Sequence, residues 1–405
     1  MPELALSSRR FAIGSLAVTT ASLPLYVVRF HVGPLPATAL EVLIGITVIG
    51  YGLVLRSERR LPAARTPYDI PIVLLLVAGI IGVVVAPDHV RGLGIYRAYF
   101  IEAIAIFYIA VDLIRSREEL RFILVIAGVG VSLFAVGQIV TFLVALAHHA
   151  VHIDAGPAFL NTSANSVALF LEPPLAFVLG LAMFPQRRWE RWLAIGCTLL
   201  FLSALVLTLS RAAYIATAIL AVWVVFSLPG RRQKVWGLAA TALISLAVVE
   251  LPFIGLRLAT AAHSAALRLS IYGEALRMLA QRPILGAGIS GFPIRVAPFR
   301  PSYEDVELYP HNLWLTTWSE IGLLGVIAFG IVFFGLLFRG ARASWQSNGL
   351  YRAVIWGSTG ALVLYLVHGL FDSPYWKNDL SVEFWIVAAL QVIAMRGARS
   401  SAQDS

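Results

Sequence analysis

Apolar runs of about 20 residues recur along almost the whole chain, and they constrain its fold more than any other feature. A helix of that length crosses a hydrocarbon core of about 30 Å. The runs predict twelve spans, at residues 11–29, 35–55, 68–86, 93–113, 121–147, 162–184, 191–209, 212–228, 235–256, 311–338, 352–371 and 381–395. Of the 405 residues, 59% are hydrophobic and 13% are charged, which is far from the balance of a soluble domain. We therefore expect an all-α integral membrane protein.

The basic residues indicate how these spans are oriented, because Lys and Arg concentrate in cytoplasmic loops. With a cytoplasmic N-terminus, 20 of the 31 Lys and Arg residues fall on the cytoplasmic side. They are Arg9, Arg10, Arg56, Arg59, Arg60, Arg65, Arg115, Arg117, Arg121, Arg187, Arg188, Arg191, Arg231, Arg232, Lys234, Arg339, Arg342, Arg352, Arg396 and Arg399. Both termini are expected in the cytoplasm. The net charge of +9 is explained by basic residues in the cytoplasmic loops and does not indicate nucleic-acid binding.

The expected organisation is one polytopic membrane domain at residues 1–399, with a short polar cytoplasmic tail at residues 400–405. A large external loop at residues 257–310 separates spans nine and ten. The first span follows Arg9 and Arg10 without a convincing cleavage site, so it is expected to be retained. The single cysteine, Cys197, excludes an internal disulfide.

The external loop carries more cations than the positive-inside rule predicts. Its arginines are Arg257, Arg268, Arg277, Arg282, Arg295 and Arg300. An anionic ligand is one explanation for this cluster. The other is pairing with the acidic residues of the same loop, which are Glu274, Glu304, Asp305 and Glu307.

A helix is predicted within the loop at residues 264–281, ended by Pro283 and the following glycine-rich turn. Nine residues at 100° each place Arg268 and Arg277 on opposite faces of this helix. Arg277 follows Glu274 by one turn, a spacing that allows an ordinary surface pair. Arg268 has Ser264, Ile271 and Tyr272 as its helical neighbours, so it is the stronger candidate for binding a ligand.

Other candidates lie at the ends of spans on the same external face. Arg211 stands between two spans with almost no loop, where a charge either faces a polar cavity or snorkels to the interface. His311 and Asn312 begin the tenth span, and a helix N-terminus favours a neutral imidazole that can accept a proton. Trp314 shares the face of His311, either to stack on sugar rings or as part of an aromatic belt. Glu320 is expected about 14 Å inside that helix.

Three more polar residues are candidates for supporting roles. His368 and Asp372 are separated by four residues, so they share one helical face and are predicted either to pair at the same cavity or to serve the helix end. Asn165 lies near the start of the sixth span. Neither the histidines at residues 148–152 nor the acidic residues at 304–307 provide a convincing ligand set, so no metal or cofactor is predicted.

Several motifs, taken together, resemble the superfamily of O-antigen ligases and polymerases over roughly residues 160–340. They are Thr208-Leu209-Ser210-Arg211, then Arg268 followed by residues 280–288, and then His311-Asn312 followed by residues 320–325. The resemblance implies a membrane glycosyltransferase of the bacterial inner membrane. Such an enzyme moves a glycan from undecaprenyl pyrophosphate to an acceptor such as lipid A-core at the periplasmic face.

The resemblance also implies roles for residues. The implied catalytic residues are Arg211, Arg268 and His311. The candidates for substrate binding are Arg277, Arg282, Asn312, Trp314, Asn165 and Tyr272, and those for support are Glu320, His368 and Asp372. Inverting, metal-independent transfer is expected, with membrane lipids around the protein. A polymerase with the same chemistry and a transporter of lipid-linked glycans are the alternatives.

Overall fold

The computed structural model of the protein describes residues 2–32, 35–152, 156–161, 163–249, 261–301 and 305–403. Helices dominate this part of the chain, as expected for an all-α membrane protein. They are α1 (Pro2–Ala21), α2 (Ala39–Glu58), α3 (Asp69–Val85), α4 (His89–Leu113), α5 (Arg117–Ala147), α6 (Ala164–Met183), α7 (Arg188–Val206), α8 (Arg211–Phe226), α9 (Arg231–Val249), α10 (Ala261–Gln281), α11 (Phe292–Val296), α12 (Leu313–Gln346), α13 (Gly349–His368) and α14 (Asn378–Gln403).

Each of the twelve predicted spans coincides with one of these helices, although not always over its full length. Within the described residues, eight helices are long and apolar enough to cross a membrane, namely α2, α4, α5, α6, α7, α12, α13 and α14. Two shorter apolar helices, α3 and α8, lie among them. The protein therefore has multiple apolar helices of membrane-spanning type, and twelve crossings remain a prediction.

The hydropathy prediction is wrong where the first two spans meet. Helix α1 ends at Ala21, and a short 3₁₀ helix at Leu23–Val27 follows. Pro24 accounts for this end, because proline lacks an amide donor and cannot continue the helix. The chain then forms an antiparallel hairpin of β1 (Arg29–Val32) and β2 (Leu35–Thr38). A hydropathy profile does not distinguish apolar strands from apolar helix ends. The helix expected at residues 22–29 and 35–38 is therefore wrong.

The helix predicted inside the external loop is confirmed as α10, which runs from Ala261 to Gln281. The glycine-rich turn after it packs tightly on neighbouring backbone. A Cβ atom on Gly286 would lie 2.5 Å from the carbonyl oxygen of Ser319. Residues 250–260, which include Arg257 and the end of the ninth predicted span, lie outside the described residues.

Helix α12 is not straight, because its backbone leaves helical geometry at Ile321 and Gly322. Trp314 contacts Phe333, with ring centroids 5.5 Å apart. In a straight helix, 19 residues at 1.5 Å each would separate the two by about 28 Å. The first segment of α12 therefore folds back along the second. This corrects the depth predicted for Glu320, which lies at the bend and not inside a continuous helix.

The site described below depends on the close packing of α13, which lies against α6, α8, α12 and α14. Glycine permits close contact with α6, since a Cβ atom on Gly357 would lie 2.8 Å from the Cα atom of Phe177. Small residues at such positions let two membrane helices approach each other directly. The starts of α6 and α8 and the end of α13 are thereby held together.

Candidate active site

His311 lies immediately before α12 in a left-handed backbone conformation, with φ of 53°. Asn312 is the N-cap of the helix, and its side-chain oxygen accepts hydrogen bonds from the amides of Trp314 and Leu315 at 3.0 and 3.1 Å. The amide group of Asn312 also donates to the carbonyl of Leu370. Capping therefore occupies the Asn312 side chain, which the sequence had suggested for substrate binding, and it fixes the place where His311 leaves the helix.

The imidazole ring of His311 lies between two carboxylates from different parts of the chain. Its Nδ1 atom is 3.3 Å from an oxygen of Asp372, in the turn that follows α13. Its Nε2 atom is 3.0 Å from an oxygen of Glu307, in the loop that precedes the helix. Both ring nitrogens are thus engaged by carboxylates.

These contacts determine the charge of the ring. Burial opposes the charged imidazolium, but the hydrogen bonds with Asp372 and Glu307 outweigh burial and raise the pKa of His311 to about 9. Burial also opposes the charged carboxylate of Asp372, yet the hydrogen bond with His311 and nearby positive charge lower its pKa to about 2. The neutral imidazole expected from the helix N-terminus is therefore not what these contacts favour, because two carboxylates exceed the effect of the helix dipole.

Asp372 is held in place by several partners. The amide of Asn165 donates to one of its oxygens at 3.2 Å, and the backbone amide of Ser373 donates to the other at 2.8 Å. The side-chain oxygen of Asn165 in turn accepts a hydrogen bond from Ser210 at 2.8 Å. Ser210 is the N-cap of α8, and its hydroxyl also accepts from the amide of Ala213. A chain of side-chain contacts therefore connects the start of α8 with His311.

The two predicted arginines lie at the ends of this network. Arg211 is the first residue of α8, directly after Ser210, and it is partly buried. Arg268 on α10 donates from Nε to the carbonyl of Phe371 at 3.1 Å, next to Asp372 in the chain. Its positive charge also helps to lower the pKa of Glu307, after the larger effect of the His311 hydrogen bond. The structure thus places Arg211 next to Ser210 in the chain and Arg268 beside the turn that carries Asp372.

Tyr272 belongs to the same site. It lies one turn after Arg268 on α10, and its hydroxyl is 3.1 Å from the carbonyl of His311 and 2.5 Å from that of Leu370. A hydroxyl has one proton, so it donates to either carbonyl and ties the two segments together. This contact positions the backbone of His311, a role that differs from the predicted substrate binding.

Three other candidates for substrate binding contact other groups or are exposed. Arg277 donates to the carbonyl of Phe299 at 3.2 Å, which agrees with the prediction that it lies on the other face of α10 from Arg268. Arg282 is exposed at the end of that helix. Trp314 stacks on Phe334 with ring planes 4° apart. The tryptophan is therefore part of an aromatic cluster within α12, and its predicted stacking on sugar is not supported by this arrangement.

Of the two alternatives for His368, pairing with Asp372 is wrong. His368 is fully buried and its Nδ1 lies 2.7 Å from an oxygen of Glu172, on α6. Asp372 instead faces His311 and Asn165. The chain leaves the helix after His368, so the two side chains do not share a helical face. Sequence reasoning missed Glu172, although a carboxylate within an apolar span is a signal in itself.

Two other carboxylates have roles that spacing did not reveal. Glu320 is buried at the bend of α12 and accepts a hydrogen bond from the backbone amide of Ser290. It holds the turn after α10 against the bend and takes no part in the His311 network. Glu307 was expected to balance the loop arginines, whereas its closest contact is His311. Among the described residues, no three His, Cys, Asp or Glu side chains are grouped as metal ligands.

Residues 196–330 match the family model described as O-Antigen ligase. The resemblance to the O-antigen ligase superfamily is confirmed. The match begins in α7 and ends in α12, so it includes Arg211, Arg268 and His311 and leaves Asn165 and Asp372 outside. It supports glycan transfer of the O-antigen ligase or polymerase type by a multi-pass membrane protein. Among curated proteins, none matches the chain.

Proposed function

We propose that the protein transfers a glycan from undecaprenyl pyrophosphate to an acceptor hydroxyl at the periplasmic face of the bacterial inner membrane. Lipid A-core is the proposed acceptor, and both termini of the chain face the cytoplasm. The transfer inverts the anomeric carbon and requires no metal. One observation carries this proposal: the hydrogen bonds from Ser210 through Asn165 to Asp372 connect the start of α8, where Arg211 lies, with His311.

The donor provides its own leaving group, which suits a reaction outside the cytoplasm, where nucleotide sugars are absent. Arg211 and Arg268 bind the pyrophosphate in this proposal. Charge-assisted hydrogen bonds from a guanidinium strengthen as negative charge develops on the leaving oxygen. The carbonyl of Phe371 accepts a hydrogen bond from Nε of Arg268, which holds this guanidinium beside the turn that carries Asp372.

His311 acts on the acceptor. The acceptor oxygen forms a bond to the anomeric carbon while the bond from that carbon to the pyrophosphate oxygen breaks. The electron pair leaves with the pyrophosphate, and the hydroxyl proton passes to Nε2 of His311. Asp372 keeps Nδ1 protonated and so directs the other nitrogen to the acceptor, as a carboxylate does in a catalytic triad.

The test is reconstitution of the purified protein in liposomes with undecaprenyl-pyrophosphate-linked glycan and lipid A-core. We expect covalent transfer of the glycan to lipid A-core, and transfer at least about 100-fold slower by a His311→Asn variant. Longer lipid-linked chains without an acceptor product would assign the protein to polymerases, which use the same chemistry. Translocation of the donor without covalent change would contradict the enzymatic proposal altogether.

A further inference from the structure

The two carboxylates that flank His311 differ in how firmly they are held. Asp372 is buried and hydrogen-bonds three groups, which are His311, Asn165 and the amide of Ser373. The Glu307 side chain is 36% exposed and lies on an irregular segment. Within the described part of the chain, His311 is its only side-chain hydrogen-bond partner. Glu307 is therefore free to move at a much smaller cost than Asp372.

The contact with Glu307 obstructs the chemistry proposed above. Asp372 engages Nδ1 of His311, so Nε2 is the nitrogen left for an acceptor hydroxyl. Glu307 engages that atom at 3.0 Å. An imidazolium with both N–H groups donating to carboxylates has no lone pair to accept a proton. This arrangement therefore cannot perform the reaction until Glu307 moves.

We propose that Glu307 is a gating residue that covers the acceptor-facing nitrogen of His311 and is displaced by the pyrophosphate of the donor. This inference rests on the proposed function. The carboxylate of Glu307 lies close enough to Arg268 to feel its charge, so an incoming diphosphate competes for the same cation. The diphosphate also repels the Glu307 carboxylate, because like charges in one site are unfavourable. Donor binding thereby uncovers the base.

The proposal predicts how the protonation of His311 depends on pH. Every ionisable group around the ring contributes to this dependence. These groups are Glu307 and Tyr309 on the preceding loop, Arg268 and Tyr272 on α10, and Asp372 after α13, with His368 acting through Asp372. Burial raises the pKa of both Tyr272 and Tyr309, so the tyrosines stay neutral. Glu307 and Asp372 are the anions that favour the charged imidazole, and Glu307 is the one that can leave.

The first experiment follows the titration of His311 by NMR in substrate-free protein. The variants are Glu307→Gln and Glu307→Ala, and Asp305→Asn is the control because Asp305 is an exposed carboxylate in the same segment. We expect the midpoint of His311 to fall by about 1 to 3 pH units in both Glu307 variants and to stay constant in the control. An unchanged midpoint in the Glu307 variants would overturn the contact on which the proposal depends.

The second experiment measures transfer against pH. Activity needs neutral His311, so the rise of kcat/KM with pH should move to lower pH in Glu307→Gln, while kcat on the alkaline plateau stays within about threefold of the original protein. A loss of about 100-fold at every pH, of the size associated with a general base, would show that Glu307 acts in catalysis and is not a gate.

The third experiment measures binding of inorganic pyrophosphate by calorimetry. Removal of the competing anion should tighten binding about threefold or more in Glu307→Gln and leave Asp305→Asn unchanged. Equal or weaker binding in Glu307→Gln would overturn displacement by the donor. Titration and pyrophosphate binding need no acceptor or turnover, so they test the gate even where His311→Asn retains activity and the proposed function fails.

Discussion

His311 and Asp372 are 61 residues apart in the chain, yet Nδ1 of the histidine lies 3.3 Å from a carboxylate oxygen of the aspartate. The contact forms because the turn after α13 meets the start of α12, where the amide of Leu313 donates to the carbonyl of Gly369 at 2.7 Å. Two helix ends joined by this backbone hydrogen bond hold the pair in a fixed orientation. Pre-organisation of this kind is what a base needs in order to face its substrate.

Replacing His311 by asparagine is predicted to lower kcat by about 100-fold or more, because a general base contributes about 10²- to 10⁴-fold. Asparagine suits this position better than alanine, since it tolerates the left-handed backbone that His311 adopts. Transfer rates measured in liposomes check the prediction. A His311→Asn protein that transfers glycan at the original rate would remove His311 from the mechanism.

The His311–Asp372 pair also predicts how stability changes with pH. The pKa of His311 is raised from 6.5 to about 9 in the folded state, so its contribution is complete below pH 6.5 and is lost as the pH rises through about 9. The pKa of Asp372 is lowered from 3.8 to about 2, so its contribution is complete above pH 3.8 and is lost as the pH falls through about 2. Thermal unfolding midpoints of substrate-free protein should therefore decline between pH 6.5 and 9.

The same unfolding series on His311→Asn provides the control. That variant should show a much smaller decline over this interval, because it has no imidazolium to lose. Parallel curves for the two proteins would mean that some other group causes the decline.

Arginine at position 268 is predicted to be irreplaceable even by lysine. Nε of Arg268 donates to the carbonyl of Phe371, and lysine cannot both make this contact and present a planar pair of donors to a phosphate. Loss of a hydrogen bond to a charged group costs about 1.5 to 3 kcal/mol, so Arg268→Lys should lower kcat/KM by at least about tenfold. Arg277→Lys is the matched control, since Arg277 contacts Phe299 on another side of α10. Equal losses in the two variants would indicate a general effect on the helix.

The buried pair of His368 and Glu172 is predicted to stabilise the bundle. Both side chains are almost completely inaccessible to solvent and lie 2.7 Å apart. Leaving a buried polar group without its hydrogen-bond partner costs about 1 to 3 kcal/mol, so Glu172→Ala should lower the unfolding temperature clearly. Glu172→Gln keeps an acceptor oxygen for the histidine and should lower it less. Equal unfolding temperatures for the Ala variant and the original protein would contradict a structural role.

Much of this arrangement was predictable from sequence because the membrane restricts the possible structures. Within the described residues, each predicted span coincides with a helix, since a backbone in lipid has to satisfy its own hydrogen bonds. The opposite faces of Arg268 and Arg277 followed from helical period alone. The local start of α12 was also readable, because Asn312 is a typical N-cap residue.

The contacts between distant segments were not predictable. The spacing of Glu307 and His311 does not reveal whether the two side chains form a hydrogen bond or face solvent. The partner of His368 depends on which face of α6 meets α13. The bend in α12 was missed for a different reason. A glycine within an apolar run usually continues a membrane helix, and only its tertiary neighbours reveal that Gly322 has left helical geometry.

That glycine provides the last prediction. Gly322 adopts φ of 69°, and a Cβ atom there would lie 2.3 Å from the carbonyl oxygen of Ile284. The amide of the next residue, Leu323, donates to the same carbonyl at 2.9 Å, so the neighbour cannot withdraw without losing this bond. Gly322→Ala should therefore force the bend open, separate the turn after α10 from α12, and lower both folded yield and transfer activity.

The matched control is Gly330→Ala, eight residues further along the same helix. Its added Cβ atom would meet only an edge atom of Trp314 at 3.9 Å, which is ordinary contact. Alanine also has the higher helix propensity, so this variant should fold at least as well as the original protein. Size-exclusion profiles and unfolding temperatures in detergent separate the two cases. A Gly322→Ala protein that elutes and unfolds like Gly330→Ala would show that the bend is not required for the fold.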